Sequence, residues 1–260
     1  MIRSLWTAAT GMQAQQLQLD VISNNLSNVN TVGYKKSRVE FEDLFYQNLK
    51  LAGALTGEGT QIPIGMQIGL GVRPVAVSKI FTQGEYQLTN QQLDWAIEGR
   101  GFFRVIYNGE EYYTRAGNFK INRDGYIVTP NGAMLQPEFN VPEGTVKIEV
   151  TPDGMITALD ANGQILAQVQ LLLYDFPNPA GLYAAGRNLF KATDAAGEVI
   201  EGIPGQNGFG TIAQGYLEMS NVDIVEEMVK MIITQRAYES NSKGVLTADQ
   251  LLETANNLKR

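Results

Sequence analysis

Leu5, Met12, Leu19 and Leu26 stand seven residues apart near the start of the chain, and Ile22 and Val29 follow the last two by three. That spacing predicts a helix with an apolar seam of the kind that packs along one partner. Residues 1–33 contain no proline and only two charges, Arg3 and Asp20, so nothing in them breaks the helix apart from Gly11, a local weakening of about 1 kcal/mol relative to alanine. The spacing returns at the other end in Ile224, Met231, Tyr238, Val245 and Leu252, with Met228, Leu251 and Leu258 widening the stripe. Asp223 with Glu226 three residues on predicts an N-cap and capping box, and Glu226/Lys230 and Glu239/Lys243 stand in the favourable acid-first order. Lys259 and Arg260 suit the carbonyl end of that helix.

Between the helices the pattern changes to short alternating or apolar runs, at 102–107, 112–115, 126–129, 146–150 and 168–174. They are separated by Asn108-Gly109, Asp124-Gly125, Asn131-Gly132, Asp153-Gly154 and Asn162-Gly163, dipeptides suited to hairpin turns, which predicts an antiparallel meander or small sandwich. Residues 176–215, richer in Gly and Pro, read as long loops with a few short strands. Residues 44–72 carry six glycines and only Lys50 and Glu58 as charges; they read as an extended stretch too apolar for a solvated linker, packed against the β-region or another chain. The expected class is α+β: terminal helices of 1–33 and 220–260 paired as a coiled-coil stalk, an extended connecting segment of 34–80, and a central antiparallel all-β domain of 81–219.

Composition then removes most chemistry. The 260 residues include no histidine and no cysteine, which excludes a Ser-His-Asp triad, a thiolate nucleophile, a disulfide, an imidazole or thiolate metal site and an iron-sulfur cluster. The net charge of −7 argues against nucleic acid, which needs a basic footprint. The sequence has no run of 18 apolar residues to span a bilayer, and the start Met1-Ile2-Arg3-Ser4-Leu5-Trp6 lacks the pattern of a cleaved secretory signal. Gly99-Arg100-Gly101 has no glycine at 104 and no helix pattern behind it, and the glycines at 205, 208 and 210 accompany no lysine, so neither is read as a phosphate loop. A carboxylate hydrolase survives as an alternative with Glu110, Glu138 or Glu143 as acids, although Glu110 and Glu111 alternate across a strand and a solvated face is the preferred reading. Trp95 is read as a core anchor rather than a sugar-stacking platform. No catalytic, cofactor or metal site is expected.

The surface of the first helix points elsewhere. Away from its seam it carries Gln13, Gln15, Gln16, Gln18, Ser23, Asn24, Asn25 and Asn28 with several alanines, and almost no charge. Such a surface suits close packing against neighbouring subunits, so the helical ends are expected to be buried in a homopolymer; the competing reading is an intramolecular coiled coil in a monomer. The last 40 residues balance six acids with five bases, so the negative charge lies mostly in the middle of the chain.

At these ends the sequence resembles a known family. Asn24-Asn25-Leu26, Asn28, Thr31, Gly33 and Tyr34 match the N-terminal signature of the bacterial flagellar rod and hook proteins. The run 215–223, with 228–232 and 235–239, resembles the matching C-terminal signature, and the likeness covers nearly the whole chain. The resemblance implies a non-catalytic axial subunit, closest in length and in its 44–72 stretch to the distal part of the rod, with hook and proximal rod subunits as alternatives. It implies export through the flagellar type III apparatus without a cleaved signal, and helical self-assembly across the periplasm into a rigid hollow drive shaft. It also implies contacts with neighbouring rod and hook proteins and with the P and L rings around the shaft, no cofactor, no membrane insertion, and a 44–72 stretch that wedges between subunits and stiffens the tube. Gly33 is expected to end the first helix.

Overall fold

The computed structural model describes residues 2–50 and 64–257, so Met1, residues 51–63 of the glycine-rich stretch, Leu258, Lys259 and Arg260 lie outside the described residues. The chain divides into two compact units, one made of Met1–Leu26, Ser37–Ser78 and Asp223–Arg260, the other of Ser27–Lys36 and Lys79–Val222.

The first unit contains both helices, α1 at Ile2–Ser27 and α2 at Ile224–Asn257. Asp223 caps α2 as the sequence predicts: its Oδ1 accepts the N–H groups of Val225 at 2.8 Å and Glu226 at 3.1 Å. Glu226 reaches Lys230 at 2.7 Å, whereas Glu239 pairs with Arg236 at 3.0 Å. The helices run antiparallel and meet through small side chains. A methyl at Gly244 would lie 4.0 Å from that of Ala8, one at Gly11 would lie 2.8 Å from the Asn241 amide nitrogen, and Asn25 bonds Glu227. From 8 to 11 to 25 along α1, the contacts step back equally along α2.

The same unit holds a two-stranded ribbon in two stretches. Ser37–Asp43 pairs with Val72–Lys79, and Tyr46–Lys50 pairs antiparallel with Met66–Gly69, the two stretches joined by Leu44 N–H to Gly71 O at 2.9 Å. The described part of the 44–72 stretch is therefore two paired strands, and its Phe45, Tyr46, Leu49, Ile64 and Met66 are exposed in the single chain. Main-chain pairing satisfies the backbone while the sequence leaves apolar side chains on both sides of the ribbon.

The second unit is antiparallel β-structure. Its largest sheet has seven strands in the order Tyr183–Gly186, Leu189–Lys191, Glu110–Thr114, Phe103–Tyr107, Met134–Gln136, Ile127–Val128 and Lys120–Ile121. A three-stranded sheet of Lys147–Val150, Met155–Leu159 and Ile165–Gln170 lies with it, and Trp95–Glu98 pairs with Thr211–Gln214. All five turn dipeptides fall between strands that pair with each other. At Asn108-Gly109 both residues have positive φ, 53° and 82°, as a tight two-residue turn requires. Residues 176–215 hold four short strands set among loops, as the sequence predicts, and two of those strands extend the large sheet. Trp95, Ile97, Phe103, Phe119, Leu135 and Ile156 fill the main core, with the Trp95 indole N–H donating to Gln92 O at 2.8 Å. A second cluster of Phe102, Tyr113, Tyr174, Phe176 and Phe190 packs edge to face.

Candidate assembly surface

The buried stripe of α2 is made of Glu227, Thr234 and Ala248, again at multiples of seven, but three residues on from the Ile224–Met231–Tyr238–Val245 seam. In α1 the buried residues are Ala14, Ile22 and Asn25. Apart from Ile22, the buried side chains of the two helices are small or polar, and glycine and alanine let the two backbones approach closely. Leu5, Met12, Leu19, Leu26, Met231, Val245 and Leu252 are half-buried, and Ile224 and Tyr238 are exposed. The large apolar side chains at the start of α2 face outward: Ile224, Val225, Met228, Val229, Ile232 and Ile233 are each between 47 and 71% exposed. Leu246, Leu251 and, on α1, Trp6 add to them. Contiguous apolar surface of this kind marks an interaction site on a soluble protein.

Asn25 is the polar centre of the helix pair. Its Oδ1 accepts the Ser37 N–H at 2.9 Å, while its Nδ2 donates to Ser37 O at 2.9 Å and to Glu227 Oε2 at 3.1 Å. The ammonium of Lys230, 3.0 Å from Glu227 Oε1, completes the neutralisation of that buried carboxylate. An amide serves here because it both donates and accepts without adding charge. Asn24, of the same motif, is exposed.

The rest of the motif shapes the turn that follows in the β unit. Thr31 donates from N to Asn28 O at 3.1 Å and from Oγ1 to Asn28 Oδ1 at 3.2 Å. Gly33 does not end α1, which stops six residues earlier at Ser27; it occupies φ +68°, where a side-chain carbon would sit 2.6 Å from the backbone nitrogen of Ala116. Its N–H donates to Glu218 O at 2.8 Å. Tyr34 is buried with the Lys79 ammonium 4.9 Å from its ring centre.

The sequence reading passed over the next residue. Lys35 is fully buried, and its Nζ lies 2.5 Å from Glu218 Oε1 and 2.7 Å from Thr82 O, with Arg115 3.4 Å from Glu218 Oε2. Burial lowers the Lys35 pKa, opposed by the Glu218 charge and hydrogen bond. The signal was present: opposite charges stand at the two terminal signatures, Lys35 directly after Tyr34 and Glu218 within 215–223. Of the hydrolase candidates, Glu110 is bonded to Lys191 at 2.8 Å and to Tyr112, and Glu138 to the Gln136 amide, ordinary surface partners.

A helix pair with its large apolar side chains turned outward, and a β unit whose buried ionisable cluster of Lys35, Arg115 and Glu218 is internally paired, suit a structural protein, and sequence comparison places the chain in the axial, rod-and-hook class. Residues 5–35 match the profile of the flagella basal body rod protein, 96–158 that of the flagellar hook protein FlgE/F/G D1 domain, and 213–258 that of the flagellar basal body rod FlgEFG protein C-terminal region. The chain is 48% identical over 264 residues to the flagellar basal-body rod protein FlgG of Borreliella burgdorferi, covering all of both chains. It is 44% identical to the FlgG of Caulobacter vibrioides and 40% identical to that of Bacillus subtilis, covering at least 99% of each. The chain belongs to the flagellar basal-body rod protein family. It is a structural component of the flagellar basal body and not an enzyme.

Proposed function

We propose that the protein is the self-assembling subunit of the distal rod, a rigid hollow shaft that crosses the periplasm and carries motor torque to the hook. The observation that carries this reading is the outward apolar stripe of α2 in a chain whose relatives are named rod proteins. Side chains about half exposed in the single chain each gain on the order of 1 kcal/mol when a neighbouring copy covers them. The terminal helices pack into an inner coiled-coil layer, and other rod and hook components continue the shaft above and below. The P and L rings surround it, and the flagellar export apparatus delivers the chain. The domain division at 33/34, 80/81 and 219/220 is part of the same reading.

Replacing Met228 and Ile232 together by aspartate tests it. The dilute variant is expected to melt as the parent does, yet to stay unpolymerised in sedimentation and in micrographs at concentrations where the parent forms filaments. Filaments from the variant, or a parent that remains monomeric at every concentration, would refute the reading.

A further inference from the structure

The three-stranded sheet has two edges of opposite character. Along Lys147–Val150 the free edge is closed by side chains: Ile148 N–H donates to Gln92 Oε1 at 3.1 Å and Val150 N–H to Gln214 Oε1 at 3.0 Å. The Gln214 amide nitrogen returns a bond to Ile148 O at 2.7 Å. Lys147 and Glu149 alternate with the two capped residues, so this edge carries charge as well as a cap.

The opposite edge, Ile165–Gln170, has neither. Its sequence, Ile-Leu-Ala-Gln-Val-Gln, holds no charge and no proline, and among the described residues no strand lies on its far side. Ile165 is 61% and Leu166 is 41% exposed. The register fixes which backbone groups face outward. Ile148 and Val150 direct their N–H groups away from the sheet, so their partners Ala158 and Ile156 direct theirs toward Ile165–Gln170, where they meet Ala167 and Val169. Gln168, between those two, therefore presents its N–H and C=O to the open side. An uncharged, unguarded edge of this kind is a template for another strand.

Charge selects the strand. From 148 to 186 the chain has no lysine or arginine but contains Glu149, Asp153, Asp160 and Asp175. Asp160 lies in the turn before the open strand, and Gln170 Nε2 donates to Asp153 O at 2.7 Å beside its end. We propose that Ile165–Gln170 is the docking edge for an extended segment of a different protein, apolar and β-branched along its length, with lysine or arginine flanking it. A second copy is a poor occupant, because pairing edge to edge would bring these acids together.

The test uses the full chain, dilute enough to stay unpolymerised, and a fluorescein-labelled peptide of alternating valine and threonine with a lysine at each end. Anisotropy is expected to show saturable binding. Gln168→Pro removes only the outward N–H and leaves the inward ladder intact; it is expected to weaken binding about tenfold or more with an unchanged melt. Leu166→Lys, a second route to blocking the edge, is expected to do the same, and a peptide with glutamate ends is expected to bind about tenfold more weakly. Four results would overturn the proposal: no binding by the parent, equal binding by both variants, equal binding of the two peptides, or dimerisation of the parent that Gln168→Pro abolishes.

Discussion

Asn25 shows how much one uncharged amide holds in the helix pair. Its side chain accepts from Ser37 and donates to Ser37 and Glu227. Asn25→Ala removes all three bonds and leaves a buried carboxylate one donor short. Unmade buried bonds cost about 1–3 kcal/mol, so chemical denaturation is expected to show a loss of about 2–4 kcal/mol, with Asn25→Asp no better because it sets a second carboxylate beside Glu227. Stability within 0.5 kcal/mol of the parent, roughly the range of an indifferent surface change, would show that Asn25 is not the centre of the pair. Tyrosines are expected to contribute to an alkaline limit of the β unit. Burial raises the pKa values of Tyr86 and Tyr113 from the ordinary 10 to about 12. The unfolded chain then loses those protons first, so stability is intact below pH 10 and falls as pH rises toward 12. Tyrosinate absorbance should therefore lag for part of the 11 tyrosines and appear together with loss of β-sheet circular dichroism. Complete ionisation near pH 10 in a chain that is still folded would contradict the burial argument.

Among the elements, the hairpins and the caps were legible because their signals are local. Asn108-Gly109 states its turn in two residues, and Asp223 states its cap within one helical turn. The pairing of Trp95–Glu98 with Thr211–Gln214 has no such signature, since segments distant in sequence meet only once the core has formed. Likewise the heptads announced both helices without saying which stripe faces which neighbour. Periodicity gives spacing, and the face toward α1 is set by where Ala8, Gly11 and Ala14 permit close approach. The motif residues divided in the same way: Asn25 and Gly33 were visible as a pattern, whereas their bonds to Glu227 and Glu218 depend on the opposite end of the chain. Gly11→Leu is expected to push against Asn241 and to destabilise the helix pair by about 1–3 kcal/mol in a far-ultraviolet melt. Gly11→Ala is expected to be milder, because the gain in helix propensity of about 1 kcal/mol offsets the crowding. A neutral leucine variant would mean that the helices do not approach closely at that position.

Over the whole molecule, charge follows the division into units. The β unit carries sixteen acids and eleven bases, the helix unit eleven and nine, so most of the net charge of −7 resides in the former. The chain passes between the units four times, at 26/27, 36/37, 78/79 and 222/223, and both of its ends belong to the helix unit. The N-terminal motif, 24–34, spans the first of these crossings, and the C-terminal signature, 215–223 with 228–232 and 235–239, spans the last. The outward stripe of Val225, Met228 and Ile232 has a thermal consequence. Association driven by apolar burial is entropic near room temperature and weakens on cooling. If the proposed assembly closes through that stripe, it is expected to be cold-labile, so that sedimentation after chilling finds released subunits whose circular dichroism is still that of the folded chain.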